Sequence, residues 1–151
     1  MSRWARAAER EDAVERAFMH FQKAYEIVQG EGGKKGGALA DNEWRSLMNH
    51  YGVLASARSG LEKASAVFEQ AVRDEPSNAR FRYNLACVRA EMGKREGMLE
   101  ELERALVLQS RGKDPEGKLV VNPLKDLSFR DFWQDPDFRR LVDVYESTVS
   151  C

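Results

Sequence analysis

The stretch AVRDEPSNARFRYNLA, residues 71–86, decides how the rest of the chain is read. Proline cannot continue a helix, and asparagine caps one well, so Pro76 and Asn78 mark a turn. The spacing predicts one helix ending near residue 74 and another starting at 79. Alanines stand on both sides, at Ala71 and Ala86. Small side chains flanking a turn are what two helices need where their backbones come close.

Outward from that turn the same arrangement recurs. LEKASAVFEQAVRD (61–74) precedes the turn, and ARFRYNLACVRAEM (79–92) follows it. Gly93 then divides the latter from REGMLEELERALVLQ (95–109). Upstream, EWRSLMNHYGVLASA (43–57) reads as a helix with Asp41 or Asn42 as its N-cap, broken by Ser59–Gly60. In residues 11–28, Val14, Ala17, Phe18, Phe21, Ala24, Tyr25 and Val28 recur at three- and four-residue steps, the mark of an amphipathic helix. QGEGGKKGGALADN (29–42) has no periodicity and reads as a mobile loop. PLKDLSFRDFW and DPDFRRLVDVYES predict two short closing helices after a loop over 111–122, whose KLVVN segment is expected to be extended. The predicted class is all-α, with residues 1–151 forming one domain.

A period runs through these helices. Ala71 and Ala105 lie 34 residues apart; in that register Phe68 matches Leu102, Tyr51 matches Leu85, and Gly52 matches Ala86. Ala24 precedes Ala71 by 47, the same period lengthened by the 13-residue glycine-rich insertion. A 34-residue period denotes a stacked repeat architecture. With Met48, Tyr51, Gly52, Ala55, Ala64, Phe68, Ala71 and Pro76 in place, the chain resembles the tetratricopeptide repeat family over about residues 3–110. The third copy carries Leu85, Ala86, Gly93, Leu102 and Ala105, but departs from the pattern at Arg89 and Met98. The first is degenerate: Ala5, Ala17, Phe21 and Ala24 match, while its opening helix is short and lacks a glycine break. Asp135, Pro136, Phe138 and Leu141 resemble the segment that closes many such arrays.

The resemblance implies an α-solenoid of antiparallel helix pairs. Its expected parts are repeats over about 2–29, 43–77 and 78–110 and a cap over 123–149. In the cap, Phe129, Phe132, Trp133, Phe138 and Leu141 are expected to cover Leu99, Leu102 and Leu106. It also implies a non-catalytic adaptor that holds a segment of a partner protein in a concave groove lined by the first helix of each pair. Mapped by register, the groove candidates are Arg6 and Arg10, then Asn49, Val53 and Ser56, then Arg80, Tyr83, Asn84 and Cys87. The family's carboxylate-clamp pattern needs lysine and asparagine where this chain has Asn49 and Val53, so capture of a chaperone C-terminus is not implied.

Composition narrows the function classes. Lys/Arg and Asp/Glu number 24 and 25 and are interspersed, which argues against a nucleic-acid partner. No window approaches a membrane span, and the start has neither a signal peptide's apolar run nor a transit peptide's scarcity of acids. Cys87 and Cys151 form no disulfide framework, so a reducing, cytoplasmic setting is expected. GEGGKKGGA lacks the Gly-Lys-Ser/Thr and the preceding strand of a phosphate loop. His20 and His50 have no second ligand at metal spacing, and Cys87 reads as a small helix residue. Asp126, Asp131, Asp135, Asp137 and Asp143 read as caps and solvated positions. No enzyme, metal or cofactor is expected. Two other readings stand beside the adaptor: a self-associating structural module, a homodimer formed through the degenerate first repeat that exposes Trp4, Phe18 and Phe21, or a regulatory fragment of a longer enzyme or assembly factor.

Overall fold

The computed structural model describes residues 2–112, 116 and 121–149. Among these residues lie six α-helices: α1 (Arg3–Gly30), α2 (Asp41–Arg58), α3 (Leu61–Asp74), α4 (Ala79–Glu91), α5 (Arg95–Arg111) and α6 (Pro136–Val149). Three 3-10 segments join them, at Gly33–Gly36, Pro123–Lys125 and Leu127–Phe132. Among the described residues there is no strand. Of KLVVN, only Val121 and Asn122 fall within that range, and both lie outside regular structure.

The turn over 75–78 forms as the sequence predicts. Asn78 is fully buried; its Oδ1 accepts from Phe81 N at 3.1 Å and its Nδ2 donates to Glu75 Oε1 at 3.1 Å. Gly60 and Gly93, at φ 99° and 75°, end the other two hairpins in a conformation that favours glycine. The start of α2 differs by a residue from expectation. Ala40 occupies the N-cap position, and its N–H donates to Glu43 Oε1 at 3.1 Å, so the Glu43 side chain closes the first turn.

The first copy departs further. It is not a helix pair: α1 runs unbroken for 28 residues, about 42 Å at 1.5 Å per residue. The cause is legible in hindsight, because RWARAAEREDAVERA contains strong helix formers and neither glycine nor proline. Its C-terminal half buries Phe18, Tyr25 and Val28, whereas residues 2–16 are all exposed. Phe18, expected to be exposed, is core and stacks on Tyr51 at 6.2 Å; Phe21 is partly buried, and Trp4 alone of the three is exposed.

The glycine-rich stretch, expected as a mobile loop, folds back on the helices. Gly33 is buried, and Lys34 Nζ stands 3.6 Å from both Asp41 Oδ1 and Glu75 Oε2 and lies over the Trp44 ring. A Cβ on Gly36 would fall 1.8 Å from the carbonyl oxygen of Glu31, so the tight reversal demands glycine there. Burial alone would raise the Glu75 carboxyl. Hydrogen bonds from Arg45 and Asn78 outweigh it and hold the group below its ordinary value.

From α1 to α5 each helix packs on the next in chain order, and α6 packs on α5. The recurring alanines are where the helices meet: Ala55, Ala64, Ala71, Ala86 and Ala105 are each 0% exposed. Helix α4 is buried on two faces, which explains why it shows no clear apolar stripe. Phe81, Leu85 and Val88 join the core of α1–α3, while Tyr83, Ala86 and Ala90 join that of α5 and the cap.

Within the helices, Gly52 is the most tightly packed glycine. A Cβ there would meet the Phe68 ring at 2.3 Å. Alanine in a helix interior gains about 1 kcal/mol over glycine. Displacing a fully buried ring costs about 1–3 kcal/mol, so Gly52→Ala should lose stability overall. A Tm roughly 2–8 °C lower is expected, with the sign reversing in a Phe68→Leu background. A single variant that melts no lower than the parent refutes the close approach.

The cap covers α5 as expected. Phe129 and Phe138 are fully buried with Leu102 and Leu106, and Leu99, Phe132, Trp133 and Leu141 pack at the edge of the same cluster. Its first element is not one helix but two 3-10 segments. Asp126 separates them, accepting from Ser128 N at 3.0 Å, and Trp133 Nε1 donates to the Pro123 carbonyl at 3.0 Å. Asp135 caps α6 by accepting from Asp137 N and Phe138 N, and it accepts from Arg95 Nε at 2.7 Å. Those Arg95 bonds hold the Asp135 carboxyl below its ordinary value.

Candidate functional site

Four of the residues mapped by register converge on one open cavity. Asn49 and Val53 reach it from α2, and Arg80 and Asn84 from the first two turns of α4. One turn of α2 brings Ser46 and His50 to the same wall, and α1 supplies Ala17 and Phe21. The volume is ≈ 610 Å³. A second cavity of ≈ 500 Å³ shares Phe21, Asn42 and Ser46 with it and continues toward Leu39, so the groove follows the seam between α1 and α2.

Its floor is apolar and aromatic at one end. His50 lies parallel to Phe21 with ring centroids 5.4 Å apart, and Val53 is 55% exposed. The His50 Nδ1–H donates to the Ser46 carbonyl at 2.8 Å, which fixes the ring across the wall. The other end is polar. Asn84 Nδ2 donates to Asn49 Oδ1 at 2.9 Å, and Asn49 Nδ2 donates to Glu116 Oε1 at 3.0 Å. Arg80 Nε stands 3.9 Å from Glu116 Oε2.

The remaining candidates lie elsewhere. Arg6 and Arg10 sit on the exposed N-terminal half of α1 and do not line the groove. Ser56 is not among the lining residues either; its hydroxyl donates to the Val53 carbonyl at 2.6 Å, one turn back. Tyr83 is a core residue, only 4% exposed, whose hydroxyl donates to Asp126 Oδ2 at 2.7 Å beneath the cap. Burial, then the neighbouring Cys87 and Asp126, push that phenol far above its ordinary range. Cys87 is covered by the same segment, with Sγ 3.8 Å from Asp126 Oδ2, and burial pushes its thiol well up. A thiol held protonated is a poor nucleophile. The register placed Tyr83 and Cys87 in the groove because it took no account of a cap lying over α4.

Sequence reasoning missed Phe21 and His50 as groove walls, although both stand on the apolar periodicity of α1 and the exposed side of α2. Glu116 carried no signal at all, since it lies 67 residues from Asn49 in the chain. Among the described residues, no group of three or more His, Cys, Asp or Glu side chains could hold a metal ion. No helix among them is long and apolar enough to cross a membrane. No family model, curated protein or solved structure matches the chain.

Proposed function

We propose that this chain is a non-catalytic helical-repeat adaptor that holds a segment of a partner protein in the groove between α1, α2 and α4. The observation that carries the reading is the convergence of Asn49 and Val53 of α2 with Arg80 and Asn84 of α4, the opening helices of two successive helix pairs, on a single open cavity. Supporting it are the buried alanines at a 34-residue period and the packing of helices in chain order, both features of a solenoid of paired helices. An apolar floor beside a polar end suits a peptide, with side chains buried at one end and hydrogen bonds fixing orientation at the other. On the same reading the chain works in a reducing, cytoplasmic setting, with neither membrane nor nucleic acid as partner.

Val53→Glu tests it. Val53 is more than half exposed, so the change should move stability by no more than about 0.5 kcal/mol. A charge on the apolar floor should weaken partner capture roughly tenfold or more. Affinity capture by parent and variant, with melting curves recorded in parallel, gives the answer. Equal recovery of the same proteins by both chains refutes the groove.

One observation favours a second reading, self-association. Trp4 is 85% exposed and shares its seven-residue phase with Phe18 and Tyr25, which are buried. The stripe that packs on α2 thus continues past it into solvent, offering a surface to a second copy. A sedimentation mass that stays monomeric up to high concentration removes that reading.

A further inference from the structure

The seam between α1 and α2 has the floor of a helix pair but no opening helix upon it. On α3, which packs on α2, Ala64, Phe68 and Ala71 are fully buried. On α5, which packs on α4, the residues 34 positions later, Met98, Leu102 and Ala105, are fully buried as well. The residues 47 positions before the α3 set are Ala17, Phe21 and Ala24 of α1. These three are only half-buried. Ala17 and Phe21 line the larger cavity, and Phe21 and Ala24 line the smaller one of ≈ 500 Å³.

The same register identifies the segment that fits this floor. Trp4, Ala5 and Ala8 stand 47 residues before Tyr51, Gly52 and Ala55, the buried face of α2. Gly52 is the position that lies on the Phe68 ring, so Ala5 belongs over Phe21. A methyl at this position is accepted in the third copy, where Ala86 is buried in one cluster with Leu102. Yet residues 2–16 are all exposed. The turn that would fold them back is lacking. Ser59–Gly60, which separates α2 from α3, falls on Asp12–Ala13, and there the helix continues, spanned by the Asp12–Arg16 ion pair. Along an unbroken helix Ala5 lies about 24 Å from Phe21, so the segment cannot reach the floor in its own chain.

We infer that residues 3–11 of a second copy occupy the α1–α2 seam, and that the two copies exchange these arms reciprocally. Ala5 of one copy set on Phe21 of the other brings the two α1 helices together antiparallel, with Ala13 of each at the two-fold axis. One symmetry operation thus makes the same contact twice. This rests on the self-association reading above and gives it a seat and an occupant. It also completes the groove. Arg6 matches Val53 in register, and the second copy's Arg6 reaches the groove wall that the chain's own Arg6 does not line. The α2–α4 side, with Asn49, Arg80 and Asn84, is left to the partner segment.

Directed cross-linking and sedimentation test the exchange together. Chains carrying Ala5→Cys or Phe21→Cys, each with Cys151→Ser to remove a competing thiol, are oxidised singly and mixed. The mixture should yield a disulfide-linked dimer that neither chain forms alone. The parent should sediment as a dimer. Trp4→Glu alters a side chain that is 85% exposed, so it should melt like the parent at low concentration. Its dimer should be weaker by roughly tenfold or more, as for loss of a buried tryptophan anchor. A parent that stays monomeric up to high concentration overturns the exchange together with the self-association reading. A parent dimer that gives no mixed disulfide, or that Trp4→Glu leaves equally tight, overturns the exchange alone and keeps self-association. The adaptor reading is judged separately, by the Val53→Glu capture result.

Discussion

Glu101→Ala should lower the unfolding free energy by about 3 kcal/mol, the lower end of what breaking a buried ion pair costs. Glu101 lies on the inner face of α5 with 7% of its side chain exposed. Its carboxylate accepts from Arg82 Nη1 at 3.0 Å and stands 3.5 Å from Arg89 Nη1. Truncation strands two guanidiniums against α4. The loss is held to the lower end because each keeps another partner: Arg82 donates to the Pro76 carbonyl at 3.1 Å, and Arg89 reaches the Gly97 carbonyl at 3.3 Å. Urea unfolding should show the midpoint falling with its slope unchanged, and Tm should drop by roughly 6–12 °C. Glu101→Gln, which keeps the shape and an acceptor, should cost about half as much. A Glu101→Ala variant within 0.5 kcal/mol of the parent means that the two arginines are solvated and that α4 and α5 are joined by apolar contact alone.

The same cluster explains a departure from the repeat pattern that the sequence could show but not interpret. Arg89 stands where an apolar residue is expected because Gly97, on the facing helix, leaves room for its stem. A Cβ on Gly97 would lie 3.0 Å from Arg89 Cδ. The guanidinium then passes over to Glu101. Reading either residue alone gives a misfit; reading the pair gives an ion pair. What was legible from sequence was local: the Pro76–Asn78 turn, the glycine hairpins, and the small residues whose period predicts where helices touch. What was not legible depends on distant segments. No local signal told that Asp126 would draw Tyr83 and Cys87 under the cap. None told that Glu116 would enter the groove, or that Lys34 would pair with Glu75. The unbroken α1 differs: its local signal, a run of helix formers without glycine or proline, lies in the sequence and outweighs the repeat pattern.

Those distant contacts show how α4 serves two purposes. Its successive positions alternate between neighbours: Arg80 and Asn84 turn to the groove, Phe81 and Leu85 to the α1–α3 core, Tyr83 and Ala86 to the cap. The groove is therefore tied to the cap through α4 and through Glu116, which precedes the cap in the chain. A lesion in the cap ought to leave the groove chemistry in place while removing support from behind it.

Phe129→Ala makes that lesion. The ring is fully buried between Tyr83, at 5.7 Å, and Phe138, at 5.4 Å. Truncating a phenylalanine so placed costs about 3–5 kcal/mol, a large share of the 5–15 kcal/mol that holds a typical domain together. The two polar ties, Tyr83 to Asp126 and Arg95 to Asp135, remain, but neither fills the hole that the ring leaves. Helix α6 should consequently open on its own. Its amides should exchange through local opening, while those of α2 and α3, whose cluster does not include Phe129, should keep the protection of global unfolding. Phe129→Leu, closer in volume, should cost less than about 1.5 kcal/mol and keep α6 protected. If exchange accelerates equally in α2, α3 and α6, the cap and the helices before it unfold as one unit. The separation of α4 into a groove side and a cap side would then hold for geometry but not for energetics.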